Sequence, residues 1–156
     1  MLTLLRLPID TIFKGRDLDW ITDNIAIGNR IEAHDEVFRA QNGFHSLISL
    51  DGSMTDKKAL TIGYDDWLCV SMIDGPDNDV ILCRKVVHSL IGMADESPPV
   101  LVHCHAGRSR SVTVVAGYLV LTKGWSTQAA YGFIAAKRRI DVQIGLRDLL
   151  QRILGV

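Results

Sequence analysis

One stretch restricts the fold more than any other: residues 100–122, VLVHCHAGRSRSVTVVAGYLVLT. Its first four residues, VLVH, open on an apolar run with no apolar–polar alternation, the mark of a strand covered on both faces in the middle of a parallel sheet. Residues 111–122 are again strongly apolar. Lys123 and Gly124 follow, where a helix end takes a cation and a glycine. Between strand and helix lies a tight loop that contains Gly107. A central strand passing through such a loop into a helix is a unit of an α/β fold.

The remaining segments repeat that alternation. Residues 25–28 (IAIG), 46–50 (SLISL) and 67–73 (WLCVSMI) read as strands, the last two ending at the turn signals Asp51-Gly52 and Asp74-Gly75-Pro76. Residues 34–41 read as a helix stopped by Asn42-Gly43. Residues 79–93 read as a helix with Val80, Arg84, Val87 and Ile91 on one stripe. Ser126 caps a predicted helix reaching about residue 139, and a last one spans 146–154. The expectation is α/β: a central, mainly parallel sheet of four to five strands, helices on both faces, and an anion-binding loop between a central strand and a helix. A chain of 156 residues suits one core. Residues 1–19 are expected to form an N-terminal arm packed on a domain that spans 20–156.

Charge and cysteine content narrow the function classes. With 17 Lys and Arg against 18 Asp and Glu, the net charge of −1 gives no broad attraction to nucleic acid or acidic membranes. No run reaches the roughly 20 apolar residues of a membrane span. Arg6 and Pro8 interrupt the apolar start, MLTLLRLPI, which reads as an edge strand or arm rather than a signal peptide. Cys69, Cys83 and Cys104 are three and widely spaced, so they make no disulfide framework. A reducing compartment, the cytoplasm, is the expected setting.

The loop carries the chemistry. Strand ends of open α/β sheets are where ligands bind. The amides of His105, Ala106, Gly107, Arg108 and Ser109, with the N-terminus of the following helix, make an anion site. Gly107 allows torsions that a side chain would forbid. A cysteine thiol at a helix N-terminus beside cations ionises at about 3.5–7.5 instead of about 8.5, so Cys104 is expected to stand as a thiolate nucleophile. Arg110 closes the loop with a planar fork that fits two phosphate oxygens. Free cysteine alone is more often a small buried hydrophobe; the combination with strand, glycine, arginine and helix points to catalysis.

His103-Cys104-His105-Ala106-Gly107-Arg108-Ser109-Arg110-Ser111 resembles the signature of the cysteine-based protein phosphatases, and its Ala-Gly and Ser-Arg-Ser portions most resemble the dual-specificity branch. The resemblance implies a phosphocysteine intermediate and neither metal nor cofactor. It implies that Ser111 stabilises the thiolate and that His103 orients the loop. It also implies a general acid after a strand, about thirty residues before the cysteine. Asp74 matches, with Asp77 as the main rival and Asp79 as a helix cap. The resemblance covers residues 20–154, including 20–28 as an opening strand, 43–50 as a second strand and 130–139 as the helix after the loop. The family often has Arg-Pro, an Asn and an aromatic beyond that helix; here Arg138-Arg139, Gln143 and Leu146 stand instead, a departure expected to bear on packing more than on chemistry.

The expected activity is hydrolysis of phosphotyrosine, extending to phosphoserine and phosphothreonine, in phosphorylated proteins. The alternatives are a non-protein substrate such as an RNA 5′-phosphate or a phosphoinositide, and a module that binds phosphate without cleaving it. Arsenate reductases and low-molecular-weight phosphatases place a similar loop near the N-terminus, and rhodanese-like enzymes lack the upstream acid. His103 and His105 are a weak pair for a metal, since Cys104 points between them to the other face. Cys69 or Cys83 could pair with Cys104 on oxidation, although both read first as core. Lys137-Arg138-Arg139 reads as a helix end meeting solvent, or else as an anionic-substrate surface.

Overall fold

The computed structural model describes residues 16–155. Five strands form one sheet in the order β1-β2-β5-β3-β4: β1 (Asp19–Trp20), β2 (Ile25–Gly28), β3 (Ser46–Ser49), β4 (Asp66–Cys69) and β5 (Val100–His103). β5 lies parallel between β2 and β3, with Gly28 and Ser49 both opposite His103. β4 pairs parallel with β3, and only the two-residue β1 is antiparallel. The mainly parallel α/β architecture read from the sequence is what forms. The arm expected over residues 1–19 falls, for residues 1–15, outside the described residues.

Two apolar clusters cover the sheet, as alternation along each strand requires. Ile25, Ile27, Ile48, Val100 and Val102 face a cluster shared with α4 (Val80–Glu96), α5 (Arg110–Lys123), α6 (Thr127–Ala135) and α7 (Leu146–Ile153). Ala26, Leu47 and Leu101 face the other, with Ala33, Phe38, Phe44 and Ala59. That second side carries three short helices: α1 (Arg30–Ala33), α2 (Glu36–Asn42) and α3 (Asp56–Ile62). Among the described residues, no helix is long and apolar enough to cross a membrane.

Several boundaries move for identifiable reasons. The helix read over 34–41 begins at Glu36, because the Asp35 side chain accepts the Phe38 amide at 2.8 Å and so sits outside it as the cap. Gly43 ends it in the left-handed conformation, as expected. α1 has its own capping box, Asn29 with Glu32. In α4 the buried stripe is Cys83, Val86, Val87, Leu90, Met93 and Ala94. Val80, Arg84 and Ile91 stand only partly buried, so the predicted stripe was turned on the helix. Asp79 caps α4 as anticipated, accepting the Ile81 and Leu82 amides. α6 stops at Ala135, and residues 136–138 form a turn that changes the role of Arg138.

Candidate active site

Cys104 follows β5 directly and is 2% exposed, at the floor of a cleft of about 410 Å3. The expected loop leads from it into α5, whose N-cap is Ser109 and whose first residue is Arg110. The Cys104 Sγ lies 3.3 Å from Ser111 Oγ, a fully buried hydroxyl on the second residue of that helix. Gly107 has φ of 70°, and a methyl group there would meet the Gly28 carbonyl oxygen at 2.5 Å. Only glycine fits this crossing of loop and strand end.

Loop carbonyls are anchored from outside. The Arg30 amide donates to His105 O at 3.1 Å, the Asp141 amide to Arg108 O at 2.8 Å, and Arg138 Nε to Gly107 O at 2.8 Å. In a trans peptide the N–H points opposite to the C=O. Each anchored carbonyl therefore turns the next amide, of Ala106, Ser109 and Arg108 in turn, away from its anchor and toward the loop interior. Two buried guanidinium nitrogens, Arg110 Nε and Arg108 Nε, have no protein partner. Unpaired buried donors are costly, and an anion in the loop would relieve that cost.

His103 is wholly buried. Its Nδ1 lies 2.9 Å from Cys104 O and its Nε2 lies 2.7 Å from Ser49 Oγ. Because a carbonyl only accepts, Nδ1 carries the proton and Nε2 accepts from the serine. Burial pushes the His103 pKa down to about 4, so the neutral ring is the folded form. The sign of the linkage follows. The unfolded chain takes up a proton on this ring below about pH 6.5, the folded chain only below about 4. Stability contributed by His103 is full above pH 6.5 and falls by on the order of 3 kcal/mol as pH drops through that window. Urea unfolding between pH 7 and pH 4 should show this loss, with a flatter profile in His103→Gln. The same slope in the variant would assign the loss to other groups.

Of the aspartates considered, Asp74 lines the cleft with Cys104 and Arg110. Asp77 lines a separate hollow with Asn78, Gly145 and Arg152, and has φ of 76°. Arg110 Nη1 donates to Met72 O at 3.1 Å, which ties the aspartate segment to the cysteine loop. His105 and Ala106 form exposed rim, and Arg108 is half-buried beside Asp17 at 3.7 Å. Ser109 Oγ accepts the Gln143 amide at 3.0 Å. Arg30 also lines the cleft. It is fixed by Asp51, whose burial opposes ionisation but whose bonds from Ser53 and Arg30 hold its carboxyl below the usual range.

Arg30 and Asp141 were not singled out from the sequence, and Gln143 was named there only as a departure from the family pattern; all three line the cleft. The departures after α6 were expected to bear on packing more than on chemistry; the structure places Gln143, with Asp141 beside it, in the wall of the cleft. The reading of Arg138 as a solvent-facing helix end is corrected: it is 5% exposed. The other thiols lie apart in chemistry. Cys69 packs with the cluster on the far side of the sheet, while Cys83 shares the Cys104 cluster. Burial, then Asp56, pushes the Cys69 thiol up, and burial, then Asp79, pushes Cys83 up to about 11. Among the described residues, no group of three His, Cys, Asp or Glu side chains is placed to hold a metal ion.

Comparison with known proteins returns the same chemistry. The family model described as "Dual specificity phosphatase, catalytic domain" matches residues 27–152. The chain is 31% identical over 129 residues to dual specificity protein phosphatase 1B of Arabidopsis thaliana, covering 80% of this chain and 73% of that one. It is 29% identical over 123 residues to tyrosine-protein phosphatase yvh1 of Schizosaccharomyces pombe, covering 78% of this chain but only 36% of that longer protein. Among solved structures, human DUSP28 superposes with a TM-score of 0.76 at 21% identity, covering 87% and 94% of the two chains; at that identity the likeness speaks for the fold.

Proposed function

The chain belongs to the dual-specificity phosphatase family, and from that premise we propose that it hydrolyses phosphotyrosine and phosphoserine or phosphothreonine in proteins, through a phosphocysteine on Cys104. The observation that carries this reading is the meeting of four groups at one cleft: Cys104 against Ser111, Arg110 with its unpartnered Nε, and Asp74 in the same cleft lining.

Sγ of Cys104 attacks phosphorus in line, and the bond from phosphorus to the leaving oxygen breaks as Asp74 gives that oxygen its proton. Loop amides and Arg110 hold the three remaining oxygens, where positioning and charge supply most of the acceleration. Water then attacks the phosphocysteine, its proton passing to Asp74. The sulfur departs as thiolate toward the Ser111 hydroxyl, and inorganic phosphate leaves. His103 keeps the loop's first carbonyl in place from behind.

The breadth of substrate follows from the cleft's form. Six of its ten lining residues are exposed, and we take it as an open dish more than a shaft. A dish admits the short phosphoserine and phosphothreonine side chains as well as the long phosphotyrosine. A reducing, cytoplasmic setting would keep Cys104 as the free thiol it is here. A panel of phosphotyrosine, phosphoserine and phosphothreonine peptides, a phosphoinositide and a 5′-phosphorylated RNA, ranked by kcat/KM, tests the proposal. Peptides of both classes should lead. Turnover confined to the lipid or the RNA would overturn it.

A further inference from the structure

Arg138 places its guanidinium, 1% exposed, in the gap between the loop, the end of β2 and the segment before β1. A buried cation is unfavourable unless fully paired, and this one is densely paired. Nε donates to Gly107 O at 2.8 Å. Nη1 reaches Asp17 O at 2.9 Å, Asp19 Oδ2 at 2.9 Å and Ile27 O at 3.1 Å, while Nη2 reaches Asp17 Oδ2 at 3.2 Å. These partners lie 31 to 121 residues away in the chain.

Within that set the bond to Gly107 bears on the reaction. Gly107 is the loop position at which the backbone is freest to rotate. Rotating the Gly107–Arg108 peptide would exchange the directions of its C=O and N–H. The phosphate site would then face a carbonyl oxygen instead of the Arg108 amide, a repulsive contact in place of a charge-assisted bond.

We propose that Arg138 is a positioning residue for phosphate: it holds the Gly107 carbonyl outward so that the Arg108 amide points in, and Asp17 and Asp19 hold the guanidinium to that task. The proposal rests on the phosphatase reading of the loop. It gives Asp17, ahead of β1, and Asp19, its first residue, a part in the site through Arg138. A planar fork is needed. A lysine carries the charge but presents a compact ammonium that cannot serve Gly107, Ile27 and Asp19 in the same directions.

The experiment measures inorganic phosphate affinity by calorimetry and kcat with an aryl phosphate, at a temperature where circular dichroism shows each protein folded. With the Gly107 carbonyl left unpaired and its peptide free to turn, Arg138→Lys should weaken phosphate binding on the order of tenfold and lower kcat at least as much. Asp19→Asn should shift both in the same direction by a smaller factor. Arg139→Ala, at the exposed neighbour, should match wild type. If Arg138→Lys and Asp19→Asn change only the thermal midpoint and leave phosphate affinity and kcat at wild-type values, Arg138 is packing alone and the proposal is wrong. Should Arg138→Lys fail to fold, Asp19→Asn decides by the same two readings. A wild-type protein that neither binds phosphate nor turns over would remove the phosphatase reading first, and this proposal with it.

Discussion

Cys104→Ser is expected to lose turnover by about 10⁴-fold or more while still binding phosphate within a few-fold of wild type. The two halves have separate causes. Turnover needs a nucleophile that is ionised at neutral pH, which a serine hydroxyl in the same place is not. Binding needs the turned-in amides and Arg110, and none of these depends on the sulfur. Their anchors are Arg30, Asp141 and Arg138, together with Met72 for the guanidinium. Serine is also smaller than cysteine and meets Ser111, a hydrogen-bonding neighbour, so the swap should leave the loop in place. Aryl phosphate kinetics and phosphate calorimetry on one preparation read both halves. Substantial turnover would take the nucleophile's role from Cys104; loss of binding alongside turnover would mean that the sulfur, not the amides, organises the anion.

The second large effect belongs to Asp74. Removing its proton should cost about 10²–10⁴-fold for a leaving group that departs as a strong base. It should cost little for one that leaves as a stable anion. Asp74→Asn is therefore expected to steepen the dependence of kcat on leaving-group basicity. Asp141 makes this a discriminating test, since its carboxylate lines the same cleft. Its main-chain amide already anchors Arg108 O, and that bond survives Asp141→Asn. The expected loss there is smaller and uniform across the series. A steep series in Asp141→Asn with a flat one in Asp74→Asn would reverse the assignment. Asp77→Asn, in its separate hollow and at a left-handed position that asparagine accepts, should behave as wild type throughout.

What was legible in the chain is what neighbouring residues decide. VLVH carries its double-sided burial in its own composition, and Gly43 and Gly124 close helices α2 and α5 in left-handed conformations as their placement after apolar segments announces. The cysteine loop is readable for the same reason: its nucleophile, glycine and arginine are contiguous. Short helices were harder. α1 and α3 span four and seven residues, too few for a periodic stripe, although Asn29 with Glu32, and Thr55 with Gly63, mark their ends. Hardest of all were side chains whose meaning depends on distant partners. Nothing near Arg138 in sequence distinguishes it from Arg139. One is buried and the other exposed because α6 stops at Ala135 and the chain turns back across β2. The same turn delivers Asp141 and Gln143 to the cleft, which no local pattern could place.

The crossing of Gly28 and Gly107 limits how such an enzyme can change. Added carbon at either position runs into its surroundings: Gly28 O for residue 107, and Glu32 with Leu101 for residue 28. The anion cradle is thus cast against the sheet and cannot be reshaped one substitution at a time. New substrate preferences have room to arise on the cleft rim, where Arg30, Asp141 and Gln143 are exposed. Directed evolution of this scaffold should accumulate its gains there and leave the strand–loop junction untouched.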